Sequence, residues 1–304
     1  MADSSSAPTE TTSASVPERT PQNDRSGGGS GRRGRGGKGS GPMPREVRVS
    51  MALSKLLRHK ATSAGITLDA EGFAELDKVS ISTNTPLPSQ QLAWPPLKSE
   101  KTTVQDVKDC TRDNAKQRFT MKPNPATNPH AAADNSSDAT HWLIRANQGH
   151  SIALESSALL TEITPATLPP RVLHGTYFAF WRAIVAAGGL KRMTRNHVHC
   201  ATGVPGTDDG VVSGMRKDAE ILIEIDAEAA LRDGAMKWWM SSNGVVLTEG
   251  DQDGLVPLRY FRRAEGVKAG VGVLMENGEV VAELPTDLQI RAPRGKNHGK
   301  GGRR

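Results

Sequence analysis

The sequence predicts an α+β protein of two lobes between basic tails, and three observations carry that prediction. Apolar residues recur at helical spacing early in the folded part and then give way to a turn-like segment and short apolar runs. Past a Pro-rich connector at 164–170 the runs are short and strand-like, without the strand-helix alternation of a parallel sheet. Charge is segregated as well: residues 25–48 carry seven Lys/Arg against one acid, and residues 291–304 carry six against none. Since the whole chain is +6, everything outside those segments sums to about −6.

Residues 1–44 and 291–304 are therefore read as tails. Gly/Arg-rich segments bury little surface and attract phosphate backbones without sequence preference, although solubility or nuclear import fits the same composition. The two cysteines, Cys110 and Cys200, make no disulfide framework, so a reducing compartment is expected. No apolar run reaches membrane-span length, and residues 1–20 lack the apolar core of a secretory signal. The expectation is cytosol or nucleus, with no membrane partner and a monomeric state.

The first lobe is expected over 45–152. Val49, Leu53, Leu56, Leu57, Ala61 and Ala64 mark a helix, and Gly65 stands where a C-cap glycine belongs. Arg58 and His59 are turned from the apolar pair by roughly 100° and 200°, toward a groove or solvent. A small hairpin is expected over 66–73 and a polar inserted loop over 80–101. Thr103 and Asp106 look like a capping box opening a helix toward Arg118 and Phe119, and a second polar loop covers 123–140. Helix, hairpin, helix and strand in that order suggest a winged-helix-like lobe.

The second lobe is expected over 165–290. It opens with a short strand over 172–176, followed by an amphipathic helix over 177–187 that Gly188 and Gly189 stop. A buried strand covers 221–225 and a short helix 227–232. Asn243 and Gly244 form a tight turn into a further strand.

The chemistry concentrates in the heptapeptide Arg145-Ala146-Asn147-Gln148-Gly149-His150-Ser151, which follows the apolar Trp142-Leu143-Ile144. Arginine offers a planar fork for phosphate, the carboxamides both donate and accept, and glycine lets backbone approach a ligand. A polar turn after a buried strand explains the same residues equally well. Arg195, Asn196 and His197, expected on a strand edge opposite His174, Gly175 and Thr176, add donors suited to ribose hydroxyls and phosphates. Lone histidines are more often core residues, but these adjoin Arg, Gly, Thr or Asn. Arg58, His59, Arg145 and Arg195 stand out as one set, because arginines held near one another repel until an anion such as a phosphorylated substrate joins them.

Several chemistries are disfavoured. No strand leads into G-x-G-x-x-G, and neither a Walker-type phosphate loop nor a G-x-S-x-G elbow occurs. His197, His199 and Cys200 lack the clustered acids or second thiol of a zinc site, so no metal is expected.

Seven blocks, taken together and in order, resemble the NAD-dependent tRNA 2'-phosphotransferase family. They are residues 53–59 (Leu-Ser-Lys-Leu-Leu-Arg-His), 116–119 (Lys-Gln-Arg-Phe), 144–151, 174–176 (His-Gly-Thr), 194–199 (Thr-Arg-Asn-His-Val-His), 213–216 (Ser-Gly-Met-Arg) and 242–248. The polar loops at 80–101 and 123–140 look like insertions in that pattern. The resemblance implies a winged-helix lobe that holds RNA and an ADP-ribosyltransferase-like lobe that holds NAD as co-substrate. It also implies a two-step reaction. The splice-junction 2'-phosphate of tRNA attacks the NAD ribose and expels nicotinamide, and the neighbouring ribose hydroxyl then releases 2'-OH RNA and ADP-ribose 1'',2''-cyclic phosphate. The resemblance implies catalytic roles for Arg58, His59, Arg145 and Arg195. It places His174, Gly175 and Thr176 at the adenosine and ribose, with His197, Ser213, Arg216 and Asn243 nearby, and Asn147 and His150 at the transferred phosphate. The alternatives are ADP-ribosylation of phosphorylated RNA or DNA ends at the same residues, and a non-catalytic RNA-binding protein.

Overall fold

In the computed structural model, which describes residues 43–79, 94–129 and 135–291, the first apolar stripe forms helix α1 (Arg45–Lys55). The chain continues as a π-helical turn, Leu56–Lys60, and a 3-10 turn, Thr62–Ala64, closed by Gly65 at φ 72°. The glycine cap is the expected one, whereas the widened turn is not foreshadowed by the spacing. Leu56 and Leu57 are both fully buried. Burying each of these leucines contributes roughly 1.5–3 kcal/mol. Such π turns concentrate at functional sites.

The hairpin expected over 66–73 does not form. Asp69 closes this stretch as a tight loop, its amide donating to Phe73 O at 2.9 Å and its carboxylate accepting from Phe73 N at 2.8 Å. Local side-chain bonds of this kind compete with strand pairing. Pairing begins only at β1 (Ala74–Glu75), which leads into α2 (Leu76–Val79). Of the first expected loop, 80–93 lie outside the described residues, and 95–99 form a helix instead, α3 (Pro95–Ser99), with proline in the first turn, where its missing N–H costs nothing. Helix α4 (Val104–Arg112) does start at a capping box: Asp106 N donates to Thr103 Oγ1 at 3.2 Å and Thr103 N to Asp106 Oδ2 at 2.7 Å. Strands β2 (Phe119–Pro123) and β3 (Trp142–Ala146) complete an antiparallel sheet of order β1-β3-β2, with Thr120 opposite Arg145. Residues 130–134 of the second loop, like 1–42 and 292–304 of the tails, lie outside the described residues. Leu53, Leu76, Leu97, Val107, Phe119 and Ile144 fill this first core.

Next along the chain, α5 (Ser156–Leu159) and β4 (Thr161–Glu162) occupy a stretch that the sequence left unassigned. Then come β5 (Leu173–Thr176), α6 (Phe178–Ala186), β6 (Gly189–Lys191), β7 (Val198–Cys200), β8 (Ile221–Ile225) and α7 (Ala227–Arg232). Strands β9 (Trp239–Met240), β10 (Val246–Thr248), β11 (Leu255–Pro257), β12 (Phe261–Gly266), β13 (Gly272–Glu276) and β14 (Glu279–Val280) finish the chain. They build a five-stranded sheet, β14-β13-β12-β8-β5, a four-stranded one, β4-β9-β10-β7, and the pair β11-β6. The architecture is thus mixed α/β, with several sheets and short helices. Trp181, Trp238, Ile221, Ile223, Phe261 and Leu274 fill the second core. The two larger sheets abut where Leu173 and Ala201 exchange amide-to-carbonyl bonds of 2.8 Å each way. No helix among the described residues is long and apolar enough to cross a membrane.

Candidate functional site

The heptapeptide begins on β3 and turns away from it at Gly149, whose φ of +88° only glycine adopts readily. A Cβ there would stand 3.4 Å from Arg58 Nη1, so the turn passes directly beneath that guanidinium. Two further bonds lock the turn to the π-helical segment: Ser151 N donates to Arg58 O at 2.9 Å, and Ser151 Oγ lies 2.9 Å from His59 Nδ1. A buried strand end and a distorted helix turn therefore hold Arg58 and His59 from two sides.

Electrostatically this seam gathers cations that lower one another's pKa. Arg58 Nε and Nη2 are buried and have no hydrogen-bond partner. Burial, then Arg195 and Arg118, push its pKa down to about 10, which leaves it a cation at neutral pH. His150 is 2% exposed, its Nε2 is buried without a partner, and burial followed by Arg58, His197, His59 and Arg145 pushes it down to about 3. His59 is lowered by partial burial and then by Arg58 and Arg195. Arg195 is exposed at the mouth yet crowded by protein on its inner side, and is lowered by that crowding and by Arg216. Among the described residues no ion pair involves Arg58, Arg118 or Arg195.

Arg145 sits apart from this group. Its Nη1 donates to Glu71 O at 3.0 Å, its guanidinium carbon lies 4.7 Å from the centre of the Phe73 ring, and its Nε is buried without a partner. Burial lowers its pKa, while Glu71 and Asp69 offset part of that effect. His150 is perturbed by both Arg58 and Arg145. The structure thus groups Arg58, His59 and Arg195, with Arg145 turned to the loop at 69–73.

The facing wall comes from β5, β7 and the turn before β7. Arg195 and His197 lie in that turn, not on a strand edge as expected, because pairing with β10 starts only at Val198. His174 Nδ1 donates to His199 O at 2.8 Å, and His199 Nδ1 donates to His197 O at 3.0 Å. A carbonyl only accepts, so both Nδ1 atoms carry hydrogen and the Nε2 atom of His199 is an acceptor. That Nε2 is buried without a partner, and burial holds the ring well below its ordinary pKa. At Gly175 a Cβ would come within 2.9 Å of Met215 Sδ and Ala219 Cβ, so glycine lets the 215–219 loop lie on β5. Thr176 is buried opposite Ile221. Arg216 is exposed, 6.0 Å from the centre of the Tyr177 ring.

Four other expected site residues spend polar atoms on the protein itself. His197 Nε2 lies 2.9 Å from Ser156 Oγ and 3.2 Å from Glu249 Oε1. Burial alone would raise Glu249, but bonds from His197, Ser156 and the Trp239 indole, the last at 2.8 Å, bring it down to about 2. Ser213 Oγ and Asn243 Nδ2 both donate to Lys116 O, at 3.1 and 2.9 Å. Asn147 Nδ2 donates to Gln117 O at 2.7 Å, and its Oδ1 accepts from Thr120 Oγ1 at 2.6 Å.

Three residues that the sequence analysis quoted without giving them a role also border the site: Lys116, Arg118 and Ser151. Arg118 acts on Arg58 and borders the same groove as His59. Lys116 is lowered by burial and by Arg118, Lys217 and Arg216. The signals were Lys and Arg two apart at the head of a strand and a hydroxyl at the end of the heptapeptide. Among the described residues no group of three or more His, Cys, Asp or Glu is placed to hold a metal ion.

The chain is similar to known proteins over most of its length. The model of the family described as RNA 2'-phosphotransferase, Tpt1/KptA family, matches residues 44–250. A Bos taurus protein named tRNA 2'-phosphotransferase 1 is 38% identical over 221 residues, covering 72% of this chain and 75% of that one. The Homo sapiens protein of the same name is 37% identical over 243 residues, covering 79% and 85%. A Saccharomyces cerevisiae tRNA 2'-phosphotransferase is 35% identical over 207 residues, covering 67% and 79%. With its site-forming segments inside the matched range and relatives at this identity over most of both chains, the protein belongs to the RNA 2'-phosphotransferase, Tpt1/KptA family.

Proposed function

We propose that the protein removes the internal 2'-phosphate of ligated tRNA by transferring it to NAD, leaving a 2'-hydroxyl, ADP-ribose 1'',2''-cyclic phosphate and nicotinamide. The observation that carries this reading is the seam of unpaired cations: Arg58 has two buried donors without a partner and no ion pair with any described acid. A doubly charged phosphate satisfies such a site, because guanidinium forks match its oxygens and relieve the mutual repulsion.

The first lobe is winged-helix-like and holds the RNA; the second is ADP-ribosyltransferase-like and holds the dinucleotide. The groups present fit NAD: exposed cations Arg195, Arg216 and Lys217 for a diphosphate, and the partnerless His199 acceptor for a hydroxyl or amide N–H. NAD, when bound, supplies an electrophilic ribose carbon and a nicotinamide leaving group. Arg58 and Arg195 bind the phosphate and orient it, Arg145 supports it, and His59, held by Ser151, takes or returns a proton at the second step. His174, Gly175 and Thr176 shape the adenosine and ribose wall. Because His197, Ser213, Asn243 and Asn147 are bonded within the protein, they serve the site by holding its walls. The reading requires a compartment with tRNA and NAD, cytosol or nucleus, and gives the basic tails a nonspecific RNA contact.

A mass-balance assay tests it, using a short RNA with one internal 2'-phosphate, with and without NAD. Loss of phosphate only with NAD, alongside nicotinamide and the cyclic product, is expected. RNA that gains and keeps an ADP-ribosyl mass assigns end modification instead, and no NAD-dependent change assigns RNA binding alone.

A further inference from the structure

The turn that leads into β7 carries a strain that its own packing does not explain. Arg195 N donates to Arg192 O at 3.2 Å, closing a four-residue turn over Arg192–Arg195. Its second residue, Met193, has φ 59°, a left-handed conformation that glycine and asparagine adopt and a bulky side chain resists. Met193 is also 80% exposed, more than any other large apolar side chain among the described residues. Burial of the methionine therefore does not hold this backbone; its flanks do. Arg192 N donates to Gly254 O at 3.3 Å, while Asn196 donates through its amide to His150 O at 2.9 Å and through Nδ2 to Ile152 O at 2.7 Å. A strained residue held in place from both sides, with its side chain left in solvent, points to a ligand.

Charge narrows the kind of ligand. Lys191, Arg192 and Arg195 are all exposed within five residues, and among the described residues none of them is in an ion pair. Arg192 also borders a cavity of about 500 Å³, whose wall includes the carboxylates Glu155, Glu249 and Asp251. Glu249 is engaged by Ser156, His197 and Trp239, Asp251 Oδ1 accepts from the amides of Asp253 and Leu255, and Glu155 is exposed. Lys237, on the same wall, pairs with Glu162 at 3.8 Å. Three acids make that cavity a poor place for a phosphate, so an anion belongs across the turn itself. Cations flanking an exposed apolar tip match a single nucleic-acid strand, whose phosphodiesters seek charge and whose bases present flat apolar faces. The polarizable sulfur of methionine suits such an aromatic face.

We infer that residues 191–193 are an RNA-strand contact on the second lobe: Met193 packs on the face of a base next to the 2'-phosphorylated nucleotide, and Lys191 and Arg192 take the phosphodiesters beside it. This rests on the proposed 2'-phosphotransfer, in which Arg195 holds the transferred phosphate. Two residues span at most about 7 Å, so a base one nucleotide from that phosphate lies within reach of Met193. The strand is then gripped by the second lobe as well as the first, close to the reacting atoms. A diphosphate alone leaves the exposed methionine without a role, and Arg216 and Lys217 already offer that group their charges.

The test measures binding, without NAD, of a short RNA bearing one internal 2'-phosphate and of two versions with an abasic ribose on its 5' or its 3' side. Wild-type protein is expected to lose about 5-fold or more in affinity for one of the two abasic RNAs. Met193→Gly is expected to bind the intact RNA about 5-fold or more weakly and to lose less than about 2-fold on the same base removal. Its Tm should match or exceed that of wild type, because glycine relieves the positive φ, and Met193→Asn, which tolerates the same backbone, should bind alike. Lys191→Gln and Arg192→Gln should each flatten the slope of log K against log salt by about 0.7. Wild-type protein indifferent to both base removals, or an equal loss in wild type and Met193→Gly, overturns the inference. So does a 5-fold rise in NAD Kd for Met193→Gly with RNA binding intact, which makes Met193 a dinucleotide contact. Failure of the proposed function reads separately: wild-type protein would then show neither preference for the phosphorylated RNA over its 2'-hydroxyl counterpart nor NAD-dependent phosphate loss.

Discussion

Ser151 holds His59 at both ends of a short path: its hydroxyl lies 2.9 Å from the imidazole Nδ1, and its amide donates to the carbonyl of Arg58, the residue before. One residue thus orients the ring and the backbone that carries it. Ser151→Ala keeps the amide bond and loses the hydroxyl. Its kcat is expected to fall about 3- to 10-fold, with RNA KM nearly unchanged, because a ring-orienting hydrogen bond contributes about 1 kcal/mol. Steady-state kinetics with the 2'-phosphorylated RNA checks this, and an unchanged kcat would remove Ser151 from the mechanism.

Arg58 trades stability for function. Its Nε and Nη2 are buried and unpaired, with Arg195 and Arg118 nearby, so the ligand-free protein carries an uncompensated charge there. Arg58→Met should raise the Tm of the free protein while lowering turnover by about two orders of magnitude or more. Added inorganic phosphate should stabilise the wild type more than the variant. A variant that melts lower and still turns over would contradict both the burial argument and the assigned role.

His150 makes the protein acid-sensitive. Its pKa is about 3 in the folded state against 6.5 ordinarily, so below pH 6.5 the unfolded chain binds a proton that the native state refuses. Stability is then full above about pH 6.5 and falls as pH drops toward 3, by at most about 1.4 kcal/mol per pH unit for this group. His199, held low by burial, adds in the same direction. Urea melts from pH 7 to pH 5 should show a shallower slope for His150→Gln; identical slopes would mean that His150 titrates normally.

Gly149 sets how close backbone comes to Arg58. Gly149→Ala meets a φ of +88°, strained for any L side chain, with its Cβ in contact with Arg58 Nη1 at 3.4 Å. Stability should fall by about 1 kcal/mol, whereas activity should fall more than that figure implies, because relieving the strain moves the turn that packs against the guanidinium. Parallel Tm and kcat measurements separate the two effects, and a loss of activity no larger than the loss of stability would leave Gly149 a turn residue only.

Local patterns in the sequence were enough for the glycine cap at Gly65, the capping box at Thr103 and Asp106, the buried strand Ile221–Ile225 and the helix Ala227–Arg232. In each, residues within a few positions decide the backbone: a left-handed glycine, a reciprocal side-chain bond, or a run of apolar residues with one way to be buried. The same local logic failed over 66–73, where one Asp side chain outcompeted strand pairing, and over 56–60, where the helix widens into a π turn. The residue types of the site were legible too, since arginines and histidines without nearby acids already imply an anionic ligand. Which of them share a pocket was decided only by tertiary structure. Arg58 and Arg195 approach each other, while Arg145 turns to Glu71 and Phe73. Ser213 and Asn243, far along the chain from Lys116, meet on one carbonyl. No spacing rule spans such separations: those partners are set by how two independently buried cores dock, and that docking is a property of packed surfaces, not of neighbouring residues.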